Sequence, residues 1–456
     1  MPGRVARVWR MFTAHPARSV VMAFAAVILV GTLLLSLPVA SEKGGTTGFV
    51  TALFTATSAV CVTGLVVVDT GTYWSDFGEG VILALFQLGG FGIMTMASLL
   101  ALLASGKLRL RMQLTAQAET KSLGIGDVKR VLLGVAGTTL IVELTVGALL
   151  SLRFRYGYGN DIGEALYVGF FHAVSAFNNA GFGLRADSLT RYAQDPWVTL
   201  PVAAAVILGG LGFPVLLELL RHRTRRRTTG RRTWSLHTRL TLITTVALLA
   251  VGMLLTCLLE WNSKGTLGPL DWGEKLLNGF FHSAMSRTAG FNALDVGAMQ
   301  ASTLLVTCTL MFVGGGSAGT AGGIKVGTFA VLAAAMIAEV RGEPHAVVMG
   351  RRLAPHVVRQ ALTVALLGVG LVITGTLALL TVTKAPFEAV LFEAISAFGT
   401  VGLSTGITAD VPDSGRLILI LLMFMGRLGP VTLVSALALR ERKRRYQLPE
   451  ERPVIG

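Results

Sequence analysis

The sequence predicts an all-α integral membrane protein: four pseudo-symmetric repeats around a central pore, each a membrane span, a re-entrant loop and a second span (M1–P-loop–M2). Three observations predict it. The first is composition. Of the 456 residues, 52% are hydrophobic and 14% charged, where soluble domains carry about 25% charged residues. The second is a recurring motif. Phe170–Leu184 reads Phe-Phe-His-Ala-Val-Ser-Ala-Phe-Asn-Asn-Ala-Gly-Phe-Gly-Leu, and Phe280–Asp295 begins Phe-Phe-His-Ser-Ala-Met-Ser-Arg-Thr-Ala-Gly-Phe. Looser copies end Val-Cys-Val-Thr-Gly-Leu at Leu65 and Phe-Gly-Thr-Val-Gly-Leu at Leu403. Their glycines, Gly64, Gly181, Gly290 and Gly402, stand 117, 109 and 112 residues apart. That period is too long for a solenoid and long enough for two membrane helices and a loop. The third is length. Each motif follows an apolar segment of about 12 residues, too short at ~1.5 Å per residue to cross a ~30 Å hydrocarbon layer.

Along the chain, Arg4, Arg7, Arg10 and Arg18 precede an apolar run near 19–40. A signal peptide has the same outline, and Leu37–Ser41 resembles a cleavage site. The run exceeds the roughly 7–15 residues of a signal core, however, and fills the slot of a first span. Repeat 1 covers 19–104, with its short segment near 48–59 and its second span near 79–104. Repeat 2 covers 131–220, with spans near 131–152 and 196–220 about a short segment near 164–177. Repeat 3 covers 239–337, with spans near 239–260 and 300–337 about 272–285. Repeat 4 covers 357–439, with spans near 357–381 and 415–439 about 386–397. Residues 1–18, 105–130, 221–238, 338–356 and 440–456 are polar connections.

These connections and their immediate flanks hold 28 of the 40 lysines and arginines. By the positive-inside rule they are cytoplasmic, both termini included, and the glycine motifs open outward. The net charge of +15 is therefore read as topology rather than nucleic-acid binding. The run Arg221–Arg232 could bind nucleic acid or anionic lipid, and is read as a topology anchor. Cys61, Cys257 and Cys308 show neither a disulfide framework nor zinc spacing.

The chemistry is expected in the backbone. An alkali cation gives up its water only where other oxygens replace it. Carbonyls of glycine-containing loops can do so, because glycine allows backbone angles that aim successive oxygens inward. The expected oxygen donors are Val62, Thr63 and Gly64; Asn179, Ala180 and Gly181; Thr288, Ala289 and Gly290; and Thr400, Val401 and Gly402. Each preceding half-helix points its partly negative C-terminus at the ion. Asp69 and Asp295 each lie five residues beyond a motif glycine, at the outer mouth, where they would concentrate cations.

A second unusual stretch, Gly314–Lys325, interrupts the overlong second span of repeat 3. Gly314, Gly315, Gly316, Ser317, Gly319, Thr320, Gly322, Gly323 and Lys325 would form a flexible intramembrane loop beneath the filter. It lacks the Gly-Lys-Ser/Thr of a nucleotide-binding P-loop, and each glycine costs a helix about 0.8–1 kcal/mol. Arg427, in Met-Gly-Arg-Leu-Gly-Pro, lies inside the last span. A buried membrane arginine needs a partner, and the loop carbonyls are suitable acceptors. Glu218 is read as interfacial; Glu143 and Glu393 have no partner in the sequence.

The four half-helix–glycine motifs, Ala-Gly-Thr-Ala-Gly-Gly-Ile-Lys of repeat 3 and Gly-Arg-Leu-Gly-Pro of repeat 4 together resemble the Trk/Ktr/HKT potassium transporters. The resemblance runs from about residue 19 onward and is of the KtrB type rather than the longer TrkH type. It implies a potassium-channel-like monomer that forms a homodimer in the bacterial inner membrane. It implies K+ as the transported ion and no cofactor in this chain. It also implies a cytoplasmic ring of regulatory subunits with RCK domains, akin to KtrA or TrkA, that binds ATP/ADP or NAD(H). Gly314–Gly323 would be a gate held by Arg427. Glycine at all four filter positions goes with potassium in this family. The third motif departs from the second: it is one residue shorter between His and glycine, which leaves its half-helix register open.

Two other function classes fit the residues less well. An enzyme could use His172 or His282 with Ser175 or Ser283, but both histidines follow Phe-Phe at one place in a repeat and no paired acid or metal spacing accompanies them. The expectation is no enzyme. A Na+- or H+-coupled carrier with alternating access would show inverted repeats and intramembrane acids; here the repeats share one orientation.

Overall fold

Within hydrocarbon, a chain segment must satisfy its own backbone hydrogen bonds, so apolar runs of this length become helices. A computed structural model describes residues 16–92, 95, 128–225 and 234–429. Most of the N-terminal segment, the linker after residue 104, the centre of the basic loop, the tail and the ends of two second spans (93–104, Thr95 aside, and 430–439) lie outside the described residues.

The first unit is α1 (Pro16–Leu35), the short α2 (Phe49–Val60) and α3 (Asp76–Phe91). The second is α4 (Val128–Tyr158), α5 (Ile162–Asn178), α6 (Pro196–Leu211) and α7 (Phe213–Arg225). The third is α8 (Leu236–Glu260), α9 (Trp272–Thr288), α10 (Ala301–Phe312) and α11 (Val326–Val340). The fourth is α12 (Pro355–Val382), α13 (Phe387–Gly399) and α14 (Asp413–Leu428). A two-residue hairpin pairs Val347–Val348 with Arg351–Arg352. Among the described residues, four helices are long and apolar enough to cross a membrane: Arg18–Leu35, Val131–Tyr158, Leu236–Glu260 and Pro355–Val382. Each opens a unit. The chain is thus an all-α membrane protein.

Each short helix packs against its unit's long helix and against the inner helix that follows it. Inner helices also reach the next unit: α3 packs on α5, α6 on α9 and α10 on α13, while α14 returns to α2. The short helices have 12 to 17 residues, about 18–26 Å of helix. Their starts are well signalled. Asp161 caps α5 by accepting from Gly163 N, and Asp271 and Glu274 form a reciprocal capping box on α9. Aromatic side chains fill the seam between units 1 and 2. Phe86 stacks on Phe182 at 6.0 Å and meets the edge of Phe171 at 5.7 Å.

The second spans correct the sequence expectation, which had only the third interrupted. Helix α3 stops at Gly92, α6 at Gly212 and α14 at Gly429, with φ of 80°, 93° and 83°. Their ψ values of 127°, 140° and 136° place them in a region open essentially to glycine alone. After Gly212 the chain turns by 101° and continues as α7. In unit 3 the break is longer, spanning 313–325 between α10 and α11.

Candidate functional site

The four short helices end on one place. In units 1, 2 and 4 the helix is closed by a residue forced into the left-handed region, Val62 (φ 58°), Asn179 (φ 59°) and Thr400 (φ 49°). The following residue then donates its N–H back to a serine carbonyl: Thr63 to Ser58 (2.8 Å), Ala180 to Ser175 (2.8 Å) and Val401 to Ser396 (2.9 Å). The same serines tie down the outgoing strand. Ser58 Oγ accepts from Gly64 N (3.1 Å) and donates to Leu65 O (2.8 Å). Ser175 Oγ donates to Phe182 O (2.8 Å), and Ser396 Oγ accepts from Gly402 N (3.1 Å). Sequence reasoning missed these straps, although a serine stands six residues before the glycine in three of the four motifs. Unit 3 is the short motif. Helix α9 runs on to Thr288, Ala289 keeps a negative φ of −125°, and Gly290 N donates to Met285 O (3.3 Å).

Gly64, Gly181, Gly290 and Gly402 all have positive φ, at 86°, 70°, 64° and 93°. They lie edge to edge in a closed ring. A Cβ on Gly64 would run into Ala180 O and come within 3.0 Å of Gly181 Cα. One on Gly181 would reach Ala289 O at 2.5 Å, and one on Gly290 would strike Val401 O and approach Gly402 Cα at 2.9 Å. One on Gly402 would strike Thr63 O and approach Gly64 Cα at 3.1 Å. Each glycine therefore meets the carbonyl preceding the next glycine, and the fourth meets the first. The twelve expected donor residues are buried, apart from half-buried Gly181 and Gly402. Among the described residues, the buried hydroxyls of Thr63 and Thr400 have no partner. Asp69 is half-buried and accepts from Thr72 Oγ1 (2.6 Å); Asp295 is exposed and caps Gly297 N (2.9 Å).

The glycine-rich loop is pressed against this ring. It begins and ends as a clip: Val313 bridges Ile324, Gly314 N donates to Ile324 O (2.8 Å), and Val326 N donates to Gly315 O (2.9 Å). Its crest uses the carbonyls freed at the α6 break. Gly316 N donates to Gly210 O (2.7 Å), Thr320 N to Gly209 O (3.3 Å), and Phe213 N to Ala318 O (3.0 Å). Close approach explains the glycines. A Cβ on Gly319 would lie 2.8 Å from Gly212 Cα, and one on Gly322 would strike the Thr400 hydroxyl. Thr320 Oγ1 meets the Asn179 amide at 3.0 Å. Arg427 donates to Thr320 O and to Gly89 O of α3. Lys325 Nζ donates to Ala321 O (2.6 Å) and Gly322 O (3.2 Å). The loop thus touches elements of units 2, 3 and 4, and Arg427 links it to α3 of unit 1. A Cβ on Gly323 of the loop would lie 3.3 Å from Gly399 Cα, and Ser317 is half-buried.

Several carboxyls are buried in the helix packing, Glu143, Glu260 and Glu393 among them. Glu143 accepts from Gln87 Nε2 (3.1 Å) and Asn178 Nδ2 (3.1 Å). Glu260 accepts from Thr266 (2.6 Å), Thr303 (2.6 Å) and Gln300 N (2.9 Å), and Glu393 accepts from Thr408. Glu218 receives Ser235 and Thr238 at the α7–α8 connection. His172 bonds Val168 O (2.8 Å) and His282 bonds Thr307 Oγ1 (2.9 Å). Both rings therefore have local partners inside the helix packing. No group of three His, Cys, Asp or Glu suited to a resident metal occurs among the described residues.

Comparison with known proteins gives one consistent answer. Residues 9–444 match the family model described as "TrkH: Cation transport protein". The chain is 40% identical to Ktr system potassium uptake protein B of Bacillus subtilis, over 95% of each chain. It is 34% identical to potassium/sodium uptake protein NtpJ of Enterococcus hirae, over 97% of each. Among solved structures, the potassium transporter TrkH from Vibrio parahaemolyticus superposes with a TM-score of 0.67. At 18% identity, it covers 91% of this chain and 84% of its own. That likeness speaks to the fold.

Proposed function

The chain belongs to the TrkH family of cation transport proteins, and from that premise we propose that it is the ion-translocating membrane subunit of a bacterial potassium uptake system. The observation that carries the proposal is the closed ring of Gly64, Gly181, Gly290 and Gly402, each set against the carbonyl before the next. Backbone oxygens so arranged replace the hydration shell of an alkali cation without a charged ligand that would hold it too tightly. The C-termini of α2, α5, α9 and α13 add a partial negative charge at the ring. Permeation is channel-like, and Asp69 and Asp295 raise cation concentration at the outer mouth.

The loop over Gly314–Gly323 is the gate. Its contacts with Asn179, Thr400 and Arg427 hold it beneath the ring, and hydrogen bonds to glycine backbones leave it free to move. A gate needs only a few kcal/mol between states. In this reading that energy comes from a cytoplasmic nucleotide-binding ring of RCK-type subunits acting on a homodimer of this chain. The potassium/sodium label of one relative makes the ion ratio a quantity to measure. Growth of a transport-deficient bacterium on limiting potassium, with and without the regulatory subunit, tests the proposal. Rescue is expected, stronger with the regulator; failure of well-expressed protein to rescue with either arrangement contradicts it.

One observation favours a coupled carrier instead. Glu143 lies within a membrane helix, and its partners among the described residues are amides rather than a cation. A proton or sodium ion there would be the coupling ion. Glu143→Gln keeps the shape and removes the charge. The channel reading expects potassium flux with unchanged dependence on pH and sodium; loss of either dependence would move the assignment to the carrier.

A further inference from the structure

We propose that Arg287 is a positioning residue that fixes the entry of the glycine-rich loop and links the filter to the gate; this rests on the gate reading above. Arg287 is 6% exposed. Its Nη2 donates to Gly314 O (2.9 Å), the first carbonyl of the loop, and its buried Nε has no partner among the described residues. Among the described residues no carboxylate pairs with it. An arginine in this setting costs several kcal/mol unless its donors are used, and the donor it does use is spent on the loop. Arg287 also lines a cavity of about 20 Å³ between α6, α8 and α9, room for about one water, with Val206, Thr245, Leu249, Ala284 and Gly315. The loop entry therefore has a water-sized gap on one side and a single charged hydrogen bond on the other.

Cationic side chains now hold the loop at three points. Arg287 takes Gly314 O at its entry, Arg427 takes Thr320 O at its crest, and Lys325 takes Ala321 O and Gly322 O at its exit. The three differ in what carries them. Arg427 stands on inner helix α14, and Lys325 immediately precedes α11. Arg287 stands on α9, one residue before the filter residue Thr288. Displacing the loop entry therefore pulls on the filter through one covalent neighbour. Each bond also occupies a carbonyl that would otherwise attract a cation, and places a positive charge beneath the ring. The held loop is an electrostatic barrier as well as a steric one. A plain structural role is the alternative: an arginine in the last turn of α9 complements the helix dipole. Lysine would retain that function, while losing the reach and planarity of the guanidinium.

The test uses full-length protein in liposomes and rubidium tracer flux without the regulator. Arg287→Gln is expected to raise flux about tenfold, the scale of losing one charged hydrogen bond from the closed state. Arg287→Lys should fall between, and the rubidium-to-sodium ratio should stay at the wild-type value in both. Loop mobility is read separately: a cysteine placed at Ser317 should react faster with a thiol reagent in the Arg287→Lys background, whether or not the glutamine variant folds. Arg427→Ala serves as the control. If it raises flux and the Arg287 variants do not, the inference falls and the gate stands. If neither raises flux, the gate reading fails first. An unchanged Ser317 cysteine rate, or lost ion discrimination at wild-type flux, would assign Arg287 to support of the filter and overturn the proposal.

Discussion

Val62 carries a β-branched side chain at a φ of 58°, a conformation that costs on the order of 1–3 kcal/mol and persists only where the surroundings over-determine it. Asn179 and Thr400 hold the same conformation at lower cost to Asn, and all three sit two residues before a ring glycine. The strain ends the half-helix abruptly, so that the next carbonyls turn toward the ring instead of continuing the helix. The serine straps retain the turned strand. Ser396→Ala removes the acceptor of a part-buried N–H at Gly402, and a stranded donor costs about 1–3 kcal/mol. A lower melting temperature and a narrowed rubidium-over-sodium preference are expected, with flux retained. Thermal unfolding together with tracer uptake checks this; wild-type values in both would make the strap incidental.

At the scale of elements, the inner helices were only partly legible in the sequence. The short helices were plain, because a dozen apolar residues followed by a glycine cannot cross and must end. The unit 3 break was plain from its run of glycines. The helix ends at Gly92, Gly212 and Gly429 were not, since small residues in an apolar run equally mark helices that pack closely. Close packing is in fact present: Gly89, Gly209 and Gly426 face the carbonyls of Val60, Phe177 and Phe398 with no room for a Cβ. The partner of Arg427 in the loop could be guessed from the need of a membrane cation for acceptors. Its second partner, Gly89 O, lies 338 residues away and left no trace in any local pattern, nor did the Arg287–Gly314 bond or the Glu143–Gln87–Asn178 cluster. Deleting Gly315–Gly322, or replacing Arg427 by Ala, should raise regulator-free flux while selectivity holds. Unchanged flux through folded protein from both variants would make the loop packing; collapse of selectivity would place it in the filter.

At the scale of the whole molecule, the four units close into a ring through the contacts of their inner and short helices. Exposed Tyr156, Trp197, Trp261 and Trp272 stand at the helix ends away from the basic connections, where aromatic residues mark a membrane–water boundary. The orientation proposed puts those aromatics outside. Its check is labelling in a background with Cys61, Cys257 and Cys308, all buried, replaced. A cysteine at Lys264 should react in intact cells, and one at Thr228 only after the membrane is opened; the opposite pattern would invert the pathway. The claim on which everything else depends is that the four glycines form the ion filter. It is tested most directly by the rubidium-to-sodium uptake ratio of Gly290→Ser measured beside Gly327→Ser, in purified protein in liposomes. A side chain at Gly290 collides with Val401 O, whereas one at Gly327 meets nothing within 4 Å. The account predicts that Gly290→Ser lowers the ratio and weakens rubidium uptake while Gly327→Ser matches the wild type. Equal ratios in all three proteins would contradict it.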